Sequence, residues 1–201
     1  MAETLHITTF SKVVSQKAKT PVVLIHGWGL YSAVWHPFID NLPDVFTDEF
    51  DIITIDLPGF GLNIDSNISP YSLANICQRI VNTITQPAVY LGWSLGGLVA
   101  TELALRHPNK VQGLITVASS PCFVEHKLAQ SENGQTQWPG IKAKVLASFH
   151  QQLQVDTQKT ISGFLKIQAM GSPHIRQDIK QISELVFQHK MATKTTLDLS
   201  L

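Results

Sequence analysis

The sequence predicts an α/β protein, with a mainly parallel sheet, flanking helices and a helical segment inserted at one end of the sheet. Three observations predict it. Short apolar runs rich in β-branched residues recur through the first 120 residues, with helical stretches between them. The pentapeptide Gly92-Trp93-Ser94-Leu95-Gly96 joins one such run directly to a helix. After Pro121 the apolar runs give way to segments of helical period.

In chain order, Pro21–Ile25 is the first core strand and ends at His26-Gly27. Asp51–Asp56 is the second and ends at Leu57-Pro58-Gly59. Ala88–Leu91, ending at Gly92, and Gly113–Ala118, ending at Ser119-Ser120-Pro121, complete a set of four. Each run is continuous rather than alternating, as in strands covered on both faces. Helices are expected near residues 34–43, 71–85 and 95–107, with Ser72 placed to cap the second. Strands alternating with helices build a parallel sheet between helical layers. Ligands gather at the carboxyl ends of such strands, and all four ends here carry turn or polar residues. The same reading leaves the sheet four strands wide with one edge open.

Residues 124–138 read as a polar loop. Ile141–Val155, Thr157–Met170 and His174–His189 then carry apolar positions at helical spacing, among them Leu146, Phe149, Leu153, Ile161, Leu165 and Ile167. This divides the chain into a core at 1–120, a helical lid at 121–190, and a stretch at 191–201 where a further core segment would start. The lid holds eight Lys/Arg against five Asp/Glu, a net +3, while residues 1–120 hold six against nine, a net −3. A cationic lid is either a solvated helical surface or a docking face for an acidic partner. Over the whole chain the 15 basic and 15 acidic residues cancel, so no global charge draws it to nucleic acid or to an anionic membrane. Cys77 and Cys122 are too few for a disulfide framework. The opening residues lack the pattern of a secretory signal, and no apolar run approaches the ~20 residues of a membrane span. A reduced, cytoplasmic protein is expected.

The chemistry centres on Ser94. A G-x-S-x-G pentapeptide between strand and helix makes a sharp turn that lifts the serine hydroxyl above the sheet. Gly92 and Gly96 lack a Cβ, which lets strand and helix approach closely. Free amides at the helix start point into the same space. Acyl transfer needs two main-chain donors for the developing oxyanion. Leu95, the residue after the serine, supplies one, and Trp28 in the His26-Gly27-Trp28-Gly29 loop is placed to supply the other. That loop also reads simply as a tight strand exit, and the Trp28 ring either lines an acyl pocket or fills the core. An acid and a histidine should follow the serine in the chain. Asp198 has no strand before it and no histidine after it. His107 closes the helix after Ser94, and His126, His150, His174 and His189 lie in the lid, where surface placement is the default. Asp56 reads as an acid or, more simply, as the residue that bonds the turn after it. This chemistry calls for no metal and no cofactor.

The segments Val23–Leu30 (VLIHGWGL), Asp56–Gly61 (DLPGFG) and Leu91–Val99 (LGWSLGGLV) resemble the α/β-hydrolase superfamily. Val117–Phe123 (VASSPCF), Trp138–Ile141 (WPGI) and Phe164–Gly171 (FLKIQAMG) are more specific. They make the chain similar to the pimeloyl-[acyl-carrier protein] methyl ester esterases of biotin synthesis, from about residue 21 to about residue 190. The resemblance implies the α/β-hydrolase fold, with Ser94 as nucleophile and Trp28 and Leu95 at the oxyanion and substrate-contacting positions. It also implies that Phe164, Leu165, Lys166, Ile167 and Gln168 meet the acyl chain. Lid arginines of the family meet the acidic carrier protein. Their counterparts here are Lys159, Arg176 and Lys180, and a fourth position falls on Gly163. Lysine offers point-charge contacts in place of bidentate ones.

Family members continue past the lid to a catalytic Asp and then a His. The resemblance therefore implies a fragment or truncated product whose C-terminal strands are missing. The implied activity is a serine carboxylesterase acting on a methyl-esterified acyl chain borne by acyl-carrier protein, with no nucleic-acid or membrane partner. Two other readings stay open. One is a generalist esterase or C–C hydrolase on the same scaffold. The other is a non-catalytic remnant that binds acyl chains or the carrier.

Overall fold

A computed structural model describes residues 3–10, 18–127, 137–187 and 191–201. The sheet is built from Ile7–Phe10 (β1), Thr20–Ile25 (β2), Phe50–Ile55 (β3), Ala88–Trp93 (β4) and Val111–Val117 (β5), in the order β1-β3-β2-β4-β5. β2 pairs in parallel with both β3 and β4, and β4 pairs in parallel with β5. These four are the predicted strands, each within two residues of its expected bounds. β1 corrects the expected width: it adds a fifth strand, antiparallel to β3, with Ile7 opposite Ile55. The remaining edge is β5, where Leu114, Ile115 and Val117 are all exposed.

His36–Asp40 (α1), preceded by a 3-10 turn at Ser32–Trp35, and Asp44–Glu49 (α2) occupy the first crossover. The single helix expected near 34–43 is therefore broken, and α2 starts after Pro43, whose fixed φ suits a helix entry. Leu73–Thr83 (α3) is capped as expected, the Ser72 hydroxyl accepting from the Asn75 N–H at 3.3 Å. Leu95–Arg106 (α4) follows β4 with one residue between them. Val23, Ile25, Ile55, Tyr90, Val99, Ala100 and Leu103 are among the fully buried residues that join sheet and helices in one core.

The segment after β5 holds a short antiparallel pair, His126–Lys127 (β6) with Gln137–Trp138 (β7), where an irregular loop is expected. Ala143–Val155 (α5), Thr157–Gln168 (α6) and Ile175–Phe187 (α7) are the three expected helices. His189, at the predicted end of the third, lies outside the described residues. Leu153, Ile161, Leu165 and Val186 are each 3% exposed or less, so these helices share the main core. Asp156 ends α5 and caps α6, its carboxylate accepting from the Lys159 N–H at 2.9 Å. Residues 191–201 contain Lys194–Leu199 (α8), capped by Thr193, with Leu197 fully buried. Among the described residues no helix is long and apolar enough to cross a membrane.

Candidate active site

Sheet order places the site. The chain moves from β2 outward to β3, then returns to the other side of β2 for β4. Strand order therefore reverses between β2 and β4, and the loops leaving these two strands border a crevice. One carries His26 to Tyr31 and the other carries Ser94.

Ser94 sits between β4 and α4 with φ 55° and ψ −117°. Ser94 and Ala118, at the end of β5, are the two non-glycine residues with positive φ among those described. A left-handed serine is strained by roughly 1–3 kcal/mol, and its neighbours hold it there. Its N–H donates to Val117 O at 2.9 Å, and its carbonyl accepts from the Ser119 hydroxyl at 2.8 Å and the Gly97 N–H at 2.9 Å. A Cβ on Gly92 would lie 2.1 Å from the Gly96 carbonyl oxygen, and one on Gly96 would lie 2.3 Å from that of Ile25. The third glycine has the same role: a Cβ on Gly97 would lie 2.5 Å from the Ser119 side chain. Gly97 and Ser119 were not singled out from the sequence. The doublet Gly96-Gly97 and the serines closing the β5 run were the available signals.

The loop after β2 stands beside this turn. The Cβ position of Gly27 is 3.4 Å from Ser94 Cβ. Leu95 is the first residue of α4, so its N–H has no acceptor within the helix. Trp28, one residue past Gly27, is 6% exposed, and its ring is packed rather than open. It meets Phe149 of α5 edge-on at 5.4 Å and Phe164 of α6 at 5.6 Å, and its Nε1 donates to Leu197 O at 3.1 Å. Phe149 and Phe164 close the cluster at 5.9 Å.

His26 and Asp56 order the loops around the site. The Leu57 N–H donates to His26 Nε2 at 3.0 Å, so the ring proton is on Nδ1 and is given to Gly27 O at 2.8 Å. Burial holds the His26 pKa below its ordinary value, against the opposing charge of Asp56. Asp56 is 2% exposed and its carboxylate accepts from the Ser32 N–H at 2.6 Å and the Leu62 N–H at 2.8 Å. Its sequence alternative as turn organiser is what the geometry displays. Gly61, at φ 49°, is required there because a Cβ would lie 2.3 Å from the Asp56 carboxylate.

The other expected residues divide between the inside and the surface. Phe164 packs on Trp28 and Leu165 is 1% exposed, whereas Lys166, Ile167 and Gln168 continue around α6 onto its exposed side. Lys159, Arg176 and Lys180 are exposed on α6 and α7. Asp198 is on α8 and pairs with His150 of α5, Nε2 to Oδ1 at 2.9 Å, with Gln154 donating to the same oxygen at 2.6 Å. Among the described residues no histidine is hydrogen-bonded to Ser94. His107 caps α4, donating its N–H to Leu103 O at 2.8 Å. A cavity of about 340 Å³ lies between the loop after β3 and α8, lined by Gly59, Tyr71, Thr196 and Leu199 among others, and does not include Ser94. Among the described residues no cluster of His, Cys, Asp and Glu is suited to hold a metal ion.

Comparison with known proteins agrees with this fold. A family model described as alpha/beta hydrolase fold matches residues 20–169. A Yersinia enterocolitica protein named pimeloyl-[acyl-carrier protein] methyl ester esterase is 44% identical over 170 residues, covering 85% of this chain and 60% of that protein. An Edwardsiella ictaluri protein of the same name is 42% identical over 183 residues, covering 91% and 65%. The chain thus spans under two thirds of the length of these relatives. Among solved structures, an esterase from Exiguobacterium antarcticum superposes with a TM-score of 0.74 at 18% identity, over 98% of this chain and 67% of that one. A hydrolase from Oleispira antarctica also gives 0.74, at 14% identity, over 99% and 68%. These two likenesses concern the fold.

Proposed function

Because the chain belongs to the alpha/beta hydrolase fold family, we propose that Ser94 is the nucleophile of a carboxylesterase acting on the methyl ester of a pimeloyl chain carried by acyl-carrier protein. The single observation that carries this reading is the strained turn at Ser94, set beside the loop that holds Trp28. The names of the 44% and 42% identical relatives supply the substrate. In this reading Ser94 Oγ attacks the ester carbonyl, and the main-chain N–H groups of Leu95 and Trp28 hold the oxyanion. Methanol leaves, and water then releases the acyl chain with its carboxylate free, still on the carrier. The relay also needs a histidine to take and return the serine proton and a carboxylate to orient it, and among the described residues neither is hydrogen-bonded to the Ser94 hydroxyl. Phe164 and Leu165 face the acyl side. Lys159, Arg176 and Lys180 meet the acidic carrier, which gives the cationic helices at 121–190 their role as a docking lid in cytoplasmic biosynthesis.

The test is methanol release from pimeloyl-carrier methyl ester by the purified chain and by its Ser94→Ala variant. Turnover that vanishes with Ser94→Ala supports the esterase. Turnover that survives it sinks the assignment of Ser94. One observation favours a second reading, in which the chain binds the carrier-borne acyl group without turning it over: no histidine is hydrogen-bonded to Ser94 among the described residues. Carrier binding with no Ser94-dependent turnover in the same preparation would favour that reading. Equal rates on the carrier-borne ester and on free short-chain esters would point instead to a generalist esterase.

A further inference from the structure

The loop between β2 and the 3-10 turn is held at both ends by the loop after β3. His26 accepts from Leu57 at one end, and Ser32 donates to Asp56 at the other. Between these anchors the loop is held from above, by helices that lie more than 100 residues further along the chain. The Tyr31 hydroxyl donates to Leu185 O near the end of α7, and Trp28 Nε1 donates to Leu197 O near the end of α8. The Leu197 carbonyl is among the last four of α8, which have no partner within the helix. Two side chains of one short loop are therefore bonded to main-chain carbonyls of two separate helices. The Trp28 ring adds contacts to α5 and α6, so all four late helices bear on this loop. Gly29, at φ 72°, is the one hinge-like position between the two tethers.

We propose that Tyr31 is a positioning residue for the oxyanion loop. By fixing the loop to the C-terminal end of α7, it sets where the Trp28 main-chain N–H stands relative to Ser94. The inference rests on the reading of Ser94 and Trp28 above, and it extends that reading to a residue that touches neither substrate nor the reacting atoms. It also gives the late helices a mechanical part: α7, which carries Arg176 and Lys180, packs on the 3-10 turn at Ser32–Trp35, and the Tyr31 hydroxyl links a shift of α7 to the oxyanion loop.

The test compares the chain with its Tyr31→Phe variant, which removes only the hydroxyl, and with Gln181→Ala, an exposed change on α7 that leaves the tether in place. The probe is phenylboronic acid, whose tetrahedral adduct on a serine presents an oxygen to the oxyanion donors. At a temperature where all three proteins are fully folded by circular dichroism, Tyr31→Phe should bind the boronate measurably more weakly, by up to about tenfold, the ceiling set by the worth of one hydrogen bond. Gln181→Ala should match the parent. A merely structural role for Tyr31 would lower the melting temperature and leave the affinity of the folded protein unchanged, and that result overturns the proposal. If the parent fails to bind the boronate, or binds it equally with Ser94→Ala, the nucleophile reading falls on its own. Amide exchange then decides the tether. Faster exchange at residues 27–30 in Tyr31→Phe than in the parent supports it, and equal exchange overturns it.

Discussion

Two glycines in helices give a matched pair of perturbations with opposite expected signs. Gly163 lies in the middle of α6, and a Cβ added there meets nothing within 4 Å. Gly96 is the second residue of α4, and a Cβ there would lie 2.3 Å from the Ile25 carbonyl oxygen and 2.7 Å from that of His26. Neither glycine has a positive φ, so alanine fits both backbones. The intrinsic gain of Gly→Ala within a helix, about 0.5–1 kcal/mol, is available at either site. At Gly163 it should appear in full. With a urea m-value near ~2 kcal/mol/M, Gly163→Ala should raise the unfolding midpoint by about 0.3–0.5 M. At Gly96 the obstacle is main chain of the central strand, which does not swing away as a side-chain tip would. Overpacking against main chain should fall in the upper part of the usual range, about 2–3 kcal/mol or more, which outweighs the helical gain and lowers the midpoint by about 0.5–1 M. The assay is urea unfolding followed by circular dichroism, with m checked for constancy. A Gly163→Ala midpoint below the parent, or a Gly96→Ala midpoint within about 0.1 M of it, would refute this account of where the chain is tight and where it is open. Gly163→Arg adds a charge four residues from Lys159, so like-charge repulsion should take back a few tenths of a kcal/mol, while carrier affinity should rise.

His26 sets an acid limit. Burial lowers its folded pKa from 6.5, so below that pH the unfolded chain binds more protons and stability falls as pH falls. His26→Gln should flatten the slope of stability between about pH 6.5 and pH 5, and an unchanged slope in urea melts at three pH values would exclude the imidazole as its source. The two thiols should differ in reactivity: Cys77 is fully buried with its pKa pushed up to about 12, whereas Cys122 is partly exposed. At pH 8 a thiol reagent should label Cys122 alone until the protein is unfolded, as mass spectrometry of labelled peptides would show. Charge reversal of Lys159, Arg176 and Lys180 should raise KM for the carrier-borne ester and leave a small free ester almost unaffected; equal effects on both would indicate damage to the lid instead. The apolar β5 edge should drive self-association of the purified chain, and Ile115→Lys with Val117→Lys should reduce it in light scattering.

The parallel strands were legible because burial on both faces leaves a run such as Val22-Val23-Leu24-Ile25 with no polar interruption. The turn at Ser94 was legible because its glycines answer a steric demand that few other sequences meet. β1 was not: Ile7, Thr8 and Thr9 are exposed, so no buried face marks them, and the strand exists by pairing with β3 more than 40 residues away. α8 is six residues long and too short for a periodic signal, although Thr193 and Thr196 form its cap. At the site, Ser94, Gly92 and Gly96 were readable, and so was the alternative role of Asp56. The packing of the Trp28 ring and the tether from Tyr31 were not, because both depend on helices that the chain forms more than 100 residues later. Among Phe164–Gln168, which residues face inward was set by the rotation of α6 on the core, something a linear match does not carry.

The turn at Ser94 is specified by five consecutive residues, yet part of what holds it is distant in sequence. Its N–H is bound by Val117, its carbonyl by Ser119 as well as by Gly97 of its own helix, and the space it needs is cleared against Ile25 as well as between Gly92 and Gly96. A peptide containing only the pentapeptide would relax out of the left-handed serine, and the motif moved to another strand–helix junction would bring no geometry with it. The serine hydroxyl is thus aimed only once strands far apart in sequence have come together. Any reagent that reads the aim of Ser94 therefore also reports whether β2, β4 and β5 are assembled, so the chemical competence of this residue and the integrity of the sheet should be gained and lost in a single step.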